Sequence, residues 1–138
     1  MAALSAKRTT SSRGLTRKVR YLMAASTTCY GGGMVCLNSS GLAIPAAAAS
    51  DNRAVVGVAV ADVTSAASGS SYVEALEGEF LMDAQTIAQD DTFKIVYADD
   101  DATVDDAQAT DAPVAGRLIE YVSASSGWVR IGPQILVA

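Results

Sequence analysis

Short apolar runs separated by turn-forming residues dominate the chain from position 17 onwards. The runs are rich in Val, Ile and Tyr, and the separators are rich in Gly, Ser, Asn and Asp. Short strands with regular turn signals are typical of all-β domains. The pattern predicts strands at 17–23, 34–37, 42–45, 54–63, 72–76, 79–81, 93–97, 102–104, 114–122, 128–131 and 135–137. The only helical structure we expect is one turn at 46–49 and another at 83–89.

The pattern also contains an internal repeat. Residues 56–64 align with residues 115–123, and residues 34–38 align with residues 93–97 at the same offset. Gly57 and Gly116 take matching positions inside strand patterns, where glycine marks a bulge or a close backbone approach. The repeat predicts two related four-strand units packed into one compact barrel or sandwich.

Charge divides the chain into an arm and a body. The first 20 residues carry +6 and no acid, so the remainder carries −11 within a net charge of −5. Residues 1–16 lack apolar periodicity, and we expect a basic arm there that is flexible until it docks, followed by a β domain at 17–138. Nucleic acid, a membrane surface and an acidic protein face all remain open as its partner. The candidate partner-binding cations are Lys7, Arg8, Arg13, Arg17, Lys18 and Arg20.

The residue types that support catalysis are scarce. The chain has no His, and we expect its two cysteines, Cys29 and Cys36, to be reduced packing residues. The acids at 99–106 lack the Gly and the Glu of a calcium-binding loop, and the glycines at 31–33 are not followed by a Lys-Ser/Thr pair. We therefore expect no enzyme, no metal and no cofactor.

Targeting and membrane segments are not expected either. The N-terminus is rich in Arg, Ser and Thr, as transit peptides are, but its apolar positions form no helical stripe. The apolar run at 21–25 is too short for a secretory signal, and no run of 18 apolar residues occurs.

Five short motifs, taken in order, resemble the capsid decoration (cement) proteins of tailed bacteriophages. They are Gly-Met-Val-Cys-Leu at 33–37, Gly-Leu-Ala-Ile-Pro-Ala at 41–46, Val-Val-Gly-Val-Ala at 55–59, Val-Glu-Ala-Leu-Glu-Gly-Glu-Phe at 73–80 and Val-Ala-Gly-Arg-Leu at 114–118. The resemblance implies a small β-barrel or β-tulip-like domain that forms an oligomer, most often a trimer. It also implies a place on the outer capsid surface of a virion, with synthesis in the host cytoplasm.

A member of that family would bridge major capsid protein subunits and stabilise the shell, with no small-molecule substrate. The family provides no catalytic residues to transfer to this chain. Two other functions remain alternatives: a phage tail or fibre module that binds a receptor, and a protein that binds nucleic acid through its arm. The sequence leaves open the oligomer number, the lattice geometry, the host and whether the two cysteines pair.

Overall fold

The computed structural model describes residues 3–132, so the predicted strand at 135–137 lies outside the described residues. The described part is all-β, as predicted, with one 3-10 turn at Gln89–Asp91. Its strands are β1 (Ser12–Leu22), β2 (Thr28–Cys29), β3 (Met34–Leu37), β4 (Ala43–Pro45), β5 (Val55–Ala59), β6 (Val63–Thr64), β7 (Tyr72–Ala84), β8 (Ile95–Ala98), β9 (Thr103–Asp105), β10 (Val114–Ser123) and β11 (Ser126–Ile131).

Five of these strands close a small barrel. They follow each other in the order β11, β10, β8, β9 and β7, and β11 pairs back onto β7. All neighbours are antiparallel except β7 and β9, which run parallel over two residue pairs. The closing ladder runs from Ser126 opposite Asp83 to Ile131 opposite Gly78. Closure removes the free edges that an open sheet of this size would expose.

The strand order shows the duplication that the sequence repeat predicts. The first unit has the order β7-β5-β3-β4, and the second has the order β11-β10-β8-β9. Counted along the sequence, the first strand of each unit (β3 or β8) lies between the second (β4 or β9) and the third (β5 or β10). The third strand lies beside the fourth (β7 or β11). Gly57 and Gly116 both sit on third strands, opposite Val35 and Val96 of the first strands. The predicted equivalence of the two glycines is therefore confirmed.

Two hydrophobic clusters share the strands of the first unit. The barrel core includes Phe80, Met82 and Leu118, and the outer core includes Met23 and Val73. Along β3 and β5, neighbouring residues point to opposite faces and enter different cores. Because these two strands are buried on both faces, they appear in the sequence as continuous apolar runs rather than alternating ones.

Several strand boundaries differ from the sequence prediction. The predicted strand 54–63 is two strands, because residues 60–62 bend away after β5. The strands predicted at 72–76 and 79–81 are one strand, since Gly78 continues the ladder with β11 instead of forming a turn. No helical turn forms at 46–49, and the one expected at 83–89 is wrong as well, because residues 83 and 84 still belong to β7. A 3-10 turn follows at Gln89–Asp91 and shares only Gln89 with the expected range. The two-residue strand β2 was not predicted.

Strand β1 changes the expected boundary between arm and body. It begins at Ser12, five residues before the predicted start, because residues 12 and 13 pair with β7 opposite Phe80 and Glu79. The boundary expected between residues 16 and 17 therefore falls inside this strand. Residues 3–11 lie against the body, where the Arg8 backbone N–H donates to the Gly31 carbonyl oxygen at 2.9 Å. Flexibility of the arm in the free protein stays a prediction.

The third-strand glycines should tolerate no side chain. A Cβ at Gly57 would lie 2.8 Å from the Leu76 carbonyl oxygen, and one at Gly116 would fall against the Arg130 carbonyl oxygen. We expect Gly57→Ala and Gly116→Ala each to lower the free energy of unfolding by about 1–3 kcal/mol, as overpacked cores do. Chemical denaturation measures this loss.

Gly14 provides the comparison for both variants. Its φ is +72°, but a Cβ there would meet no atom within 4 Å. Gly14→Ala should therefore carry only the conformational cost of about 1 kcal/mol. Third-strand variants as stable as the parent protein would contradict the close packing described here.

Candidate functional site

The basic residues of the N-terminal segment lie on the outside of the body, along β7. Strand β1 runs antiparallel to β7, so the residues of β1 on either side of its bulge face fixed partners across the ladder. Arg17 lies opposite Glu77, Arg13 lies opposite Glu79, and Arg20 lies opposite Glu74. Directly opposed residues on one face of an antiparallel pair come close enough to interact. The ladder thus places the cations of β1 beside the carboxylates of β7.

Arg13 is the centre of an ion-pair network. Its Nε lies 2.9 Å from Glu79 Oε2 and its second guanidinium nitrogen lies 2.7 Å from Glu120 Oε1. Arg130 of β11 completes the network at 2.8 Å from Glu79 Oε1. The Arg13 guanidinium also stacks on the Trp128 ring, 4.3 Å from its centroid. One arginine therefore joins β1 to β7, β10 and β11.

The pKa values of the network agree with this geometry. Burial by itself would raise the pKa of Glu79, but hydrogen bonds from Arg13 and Arg130 outweigh it and hold this pKa below its usual range. The hydrogen bond to Glu120 raises the pKa of Arg13, with Glu79 acting in the same direction against desolvation. Both groups stay charged across the physiological range.

Arg17 and Glu77 form a second pair beside a bulge in β1. Arg17 Nε lies 2.7 Å from Glu77 Oε2, and the Glu77 side chain is only 9% exposed. Between Arg13 and Arg17, three residues of β1 face the single residue Gly78 of β7. This bulge carries Leu15 outward, where it is 97% exposed, the largest fraction among the exposed large apolar residues. A bulge re-aims side chains away from the ladder.

Arg8 connects the segment before β1 to the body. Its guanidinium lies 3.0 Å from Asp83 Oδ2, and its Nε donates to the Gly32 carbonyl oxygen at 3.3 Å. Thr10 Oγ1 donates to the same carbonyl oxygen at 2.7 Å. Nearer the N-terminus, the Leu4 backbone N–H donates to Asp101 Oδ1 at 2.8 Å. Burial raises the pKa of Asp101 above its ordinary value, although the hydrogen bond from Leu4 acts in the opposite direction.

The six predicted cations therefore fall into two groups. Arg8, Arg13 and Arg17 pair with carboxylates of the same chain. Lys7, Lys18 and Arg20 form no ion pair within residues 3–132, and all three are exposed. Arg20 stacks on Tyr72, 4.2 Å from the ring centroid. The charge pattern of the sequence indicated all six cations as candidates, but it gave no indication of Leu15, Glu77 or Trp128. A lone Leu in a polar segment, directly after a Gly, was the available signal for Leu15.

The other candidate features take no part in this site. Cys29 and Cys36 are free and buried, as expected, and burial raises the pKa of Cys29 to about 12. Within residues 3–132, no group of acids or cysteines is arranged to hold a metal ion. The same residues include no helix that is long and apolar enough to cross a membrane.

Comparison with known proteins adds no relative. No family model, no curated protein and no solved structure matches the chain.

The acidic loops should make stability depend on pH. Burial, together with hydrogen bonds to Asp105 and Asp91, raises the pKa of Asp106 to about 6 from an ordinary 3.8. A carboxyl whose pKa is raised by folding stabilises the fold when protonated, and this contribution is lost as the pH rises from about 3.8 through 6. We therefore expect Asp106→Asn to raise the melting temperature at pH 7.5 and to leave it unchanged at pH 3.5, in thermal unfolding at both pH values. Asp51→Asn, in an exposed turn, is the matched control. If Asp106→Asn raised the melting temperature equally at both pH values, the raised pKa of Asp106 beside Asp91 and Asp105 would be contradicted.

Proposed function

We propose that this chain is a structural capsid decoration protein. It binds the outer surface of an assembled viral shell, bridges major capsid protein subunits and stabilises the shell. The observation that carries the proposal is the outer position of residues 3–22, which lie across the body and present Lys7, Leu15, Lys18 and Arg20 to the exterior. Such a segment can contact a partner without disturbing either core.

The family resemblance supports the viral assignment of this binding function. Its motifs fall on β3, β4, β5 and β7, the four strands of the first unit, and on β10 of the second unit. The likeness therefore lies in residues that form the cores and the ladders. The proposal does not extend to catalysis, and its partner is a protein surface.

The stabilising action follows from mass action. A protein that binds only the assembled lattice stabilises it by RT ln(1 + [L]/Kd) at each occupied site. A homo-oligomer, for which a trimer is our first choice, occupies several lattice positions at once and so bridges subunits. Light scattering on the purified chain measures the oligomer number.

Arm-mediated binding of nucleic acid is less favourable on this geometry. Phosphate contacts require free cations, and Arg8, Arg13 and Arg17 already pair with carboxylates of the same chain. The acidic body would also repel a duplex. We therefore do not propose this function.

Cryo-electron microscopy of the virus particles that contain the chain tests the function directly. We expect density for a small β-barrel on the outside of the shell, where capsid subunits meet. Density on a tail or a fibre would replace the proposal with the receptor-binding alternative. Density inside the shell, along packaged nucleic acid, would contradict it as well.

A charge experiment tests which cations contact the shell. We expect the triple variant Lys7→Ser, Lys18→Ser and Arg20→Ser to lower occupancy on undecorated shells several-fold at low salt and much less at high salt. Exposed pairs contribute about 0–1 kcal/mol each, and salt screens them over roughly 10 Å at 0.1 M. Occupancy is measured by co-sedimentation at the two salt concentrations.

The matched control removes the same charge elsewhere on the body. Arg53→Ser, Lys94→Ser and Arg117→Ser together change three cations that lie outside β1 and the segment before it. This variant should decorate shells as the parent protein does. If both triple variants bind equally well, the outward cations of the N-terminal segment are not the contact.

A further inference from the structure

Strand β1 has one unpaired edge. It pairs with β7 alone, and no other strand among residues 3–132 pairs with it. The two strands of similar length, β7 and β10, have neighbours on both edges. An unpaired edge presents a row of backbone N–H and C=O groups that can pair with another strand. Within the described residues, β1 is the longest strand with such an edge.

One hydrogen bond fixes which backbone groups of β1 point to this edge. The Met23 N–H donates to the Ser71 carbonyl oxygen at 2.9 Å, and these two residues continue the register of the ladder between β1 and β7. Bonded and non-bonded pairs alternate along antiparallel strands. Every second residue back from Met23 therefore bonds to β7, and the residues between them direct their N–H and C=O groups outward. The outward residues are Lys18, Arg20 and Leu22.

The stretch at residues 17–22, which we call the β1 edge, has clear limits. On one side, the bulge between Arg13 and Arg17 interrupts the ladder. On the other side, Met23 is buried and the Ala24 N–H donates to the Ala43 carbonyl oxygen at 3.0 Å. A stretch of this size matches the usual strand length of about 5–6 residues. The β1 edge is therefore long enough to pair with one further strand.

The side chains of the β1 edge differ between its two faces. Lys18 and Arg20 are exposed on one face, and neither forms an ion pair within residues 3–132. Val19 and Tyr21 are half-buried on the other face, where Tyr21 packs against the outer core. Side chains at opposite positions of neighbouring strands contact each other. An added strand would therefore meet cations on one face and apolar groups on the other.

These side chains restrict which strand can pair with the β1 edge. A second copy of β1 would bring the same cations together, and like charges on neighbouring strands repel. A strand that alternates acidic and apolar residues would match both faces. The chain itself shows such a match on the opposite edge of β1, where Glu74 of β7 lies opposite Arg20 and Val73 lies opposite Tyr21.

We propose that the β1 edge binds an extended segment of a partner protein in which acidic residues alternate with apolar ones. The segment pairs with the outward N–H and C=O groups, places its carboxylates beside Lys18 and Arg20, and covers Val19 and Tyr21 with its apolar side chains. In strand addition the backbone hydrogen bonds give affinity, and alternate side chains give specificity. The inference rests on the proposed function, because it names the chemistry that the partner surface offers.

Amide exchange on the full chain, resolved by residue, tests the pairing. The probe is a capped peptide in which Glu and Val alternate. We expect the amides of Lys18, Arg20 and Leu22 to exchange at least about tenfold more slowly when the peptide is bound, because exposed amides become hydrogen-bonded. The amides between them, which already bond to β7, should exchange slowly with and without the peptide.

Titration calorimetry with the same peptide tests the charges. Lys18→Glu should weaken binding about fivefold or more, because an exposed attraction becomes a repulsion of similar size. Arg53→Glu is the matched control, since Arg53 is exposed and lies outside β1 and the segment before it. It should bind the peptide as the parent protein does, and circular dichroism should show that both variants are folded.

Two altered peptides separate backbone pairing from charge. A peptide of the same length that alternates Lys and Val should not bind. The Glu and Val peptide with N-methyl groups on the backbone nitrogens that face β1 should lose its binding, although its side chains are unchanged.

Four results would overturn the proposal. Failure of the Glu and Val peptide to bind would remove the β1 edge as a receptor. Equal binding of the Lys and Val peptide would show that the cations do not select the segment. Slower exchange elsewhere, with no change at Lys18, Arg20 and Leu22, would place the peptide at another surface. Slow exchange of these three amides in a self-associated chain without peptide would identify a second copy as the occupant. Microscopy of the virus particles decides the proposed function separately, so either can fail while the other stands.

Discussion

The fold depends on the pairing of β7 along both of its edges. Glu79 and Phe80 pair with β1 and β11 at the same time, so these two strands lie on opposite edges of β7. Strand β9 continues the edge of β1, and β5 continues the edge of β11. One 13-residue strand thus ends the first four-strand unit, closes the barrel of the second and holds the basic segment.

Burial on both faces of β3 and β5 explains the small side chains of these strands. Strands that serve two cores need small or β-branched residues on each face, and Ala, Val and Gly supply them. At Gly57 the neighbouring β7 backbone comes so close that no side chain fits. A protein with only 6% aromatic residues can therefore form two cores, because strands that approach closely fill the interior without large side chains.

Local pattern was sufficient for the fold class and for the duplication, and insufficient for features that depend on distant residues. Gly57 and Gly116 indicated equivalent strand positions, because a glycine inside a strand pattern usually marks a bulge or a close backbone approach. The early start of β1 at Ser12 could not be predicted, since the pairing partner lies almost 70 residues later in β7. For the same reason the six candidate cations were found, while the ion pairs of Arg8, Arg13 and Arg17 were not.

Those ion pairs alter what the charge asymmetry of the sequence means. A basic segment and an acidic body first suggest two surfaces for two partners, yet the closest acids to Arg8, Arg13 and Arg17 belong to the same chain, 60 to 107 residues away. A partner would have to bind these arginine side chains more strongly than Asp83, Glu77, Glu79 and Glu120 already do. Because individual exposed pairs are weak, the network holds β1 by number and geometry rather than by any single bond. The positive charge that β1 and the segment before it leave unpaired is therefore closer to that of Lys7, Lys18 and Arg20 than to the full +6.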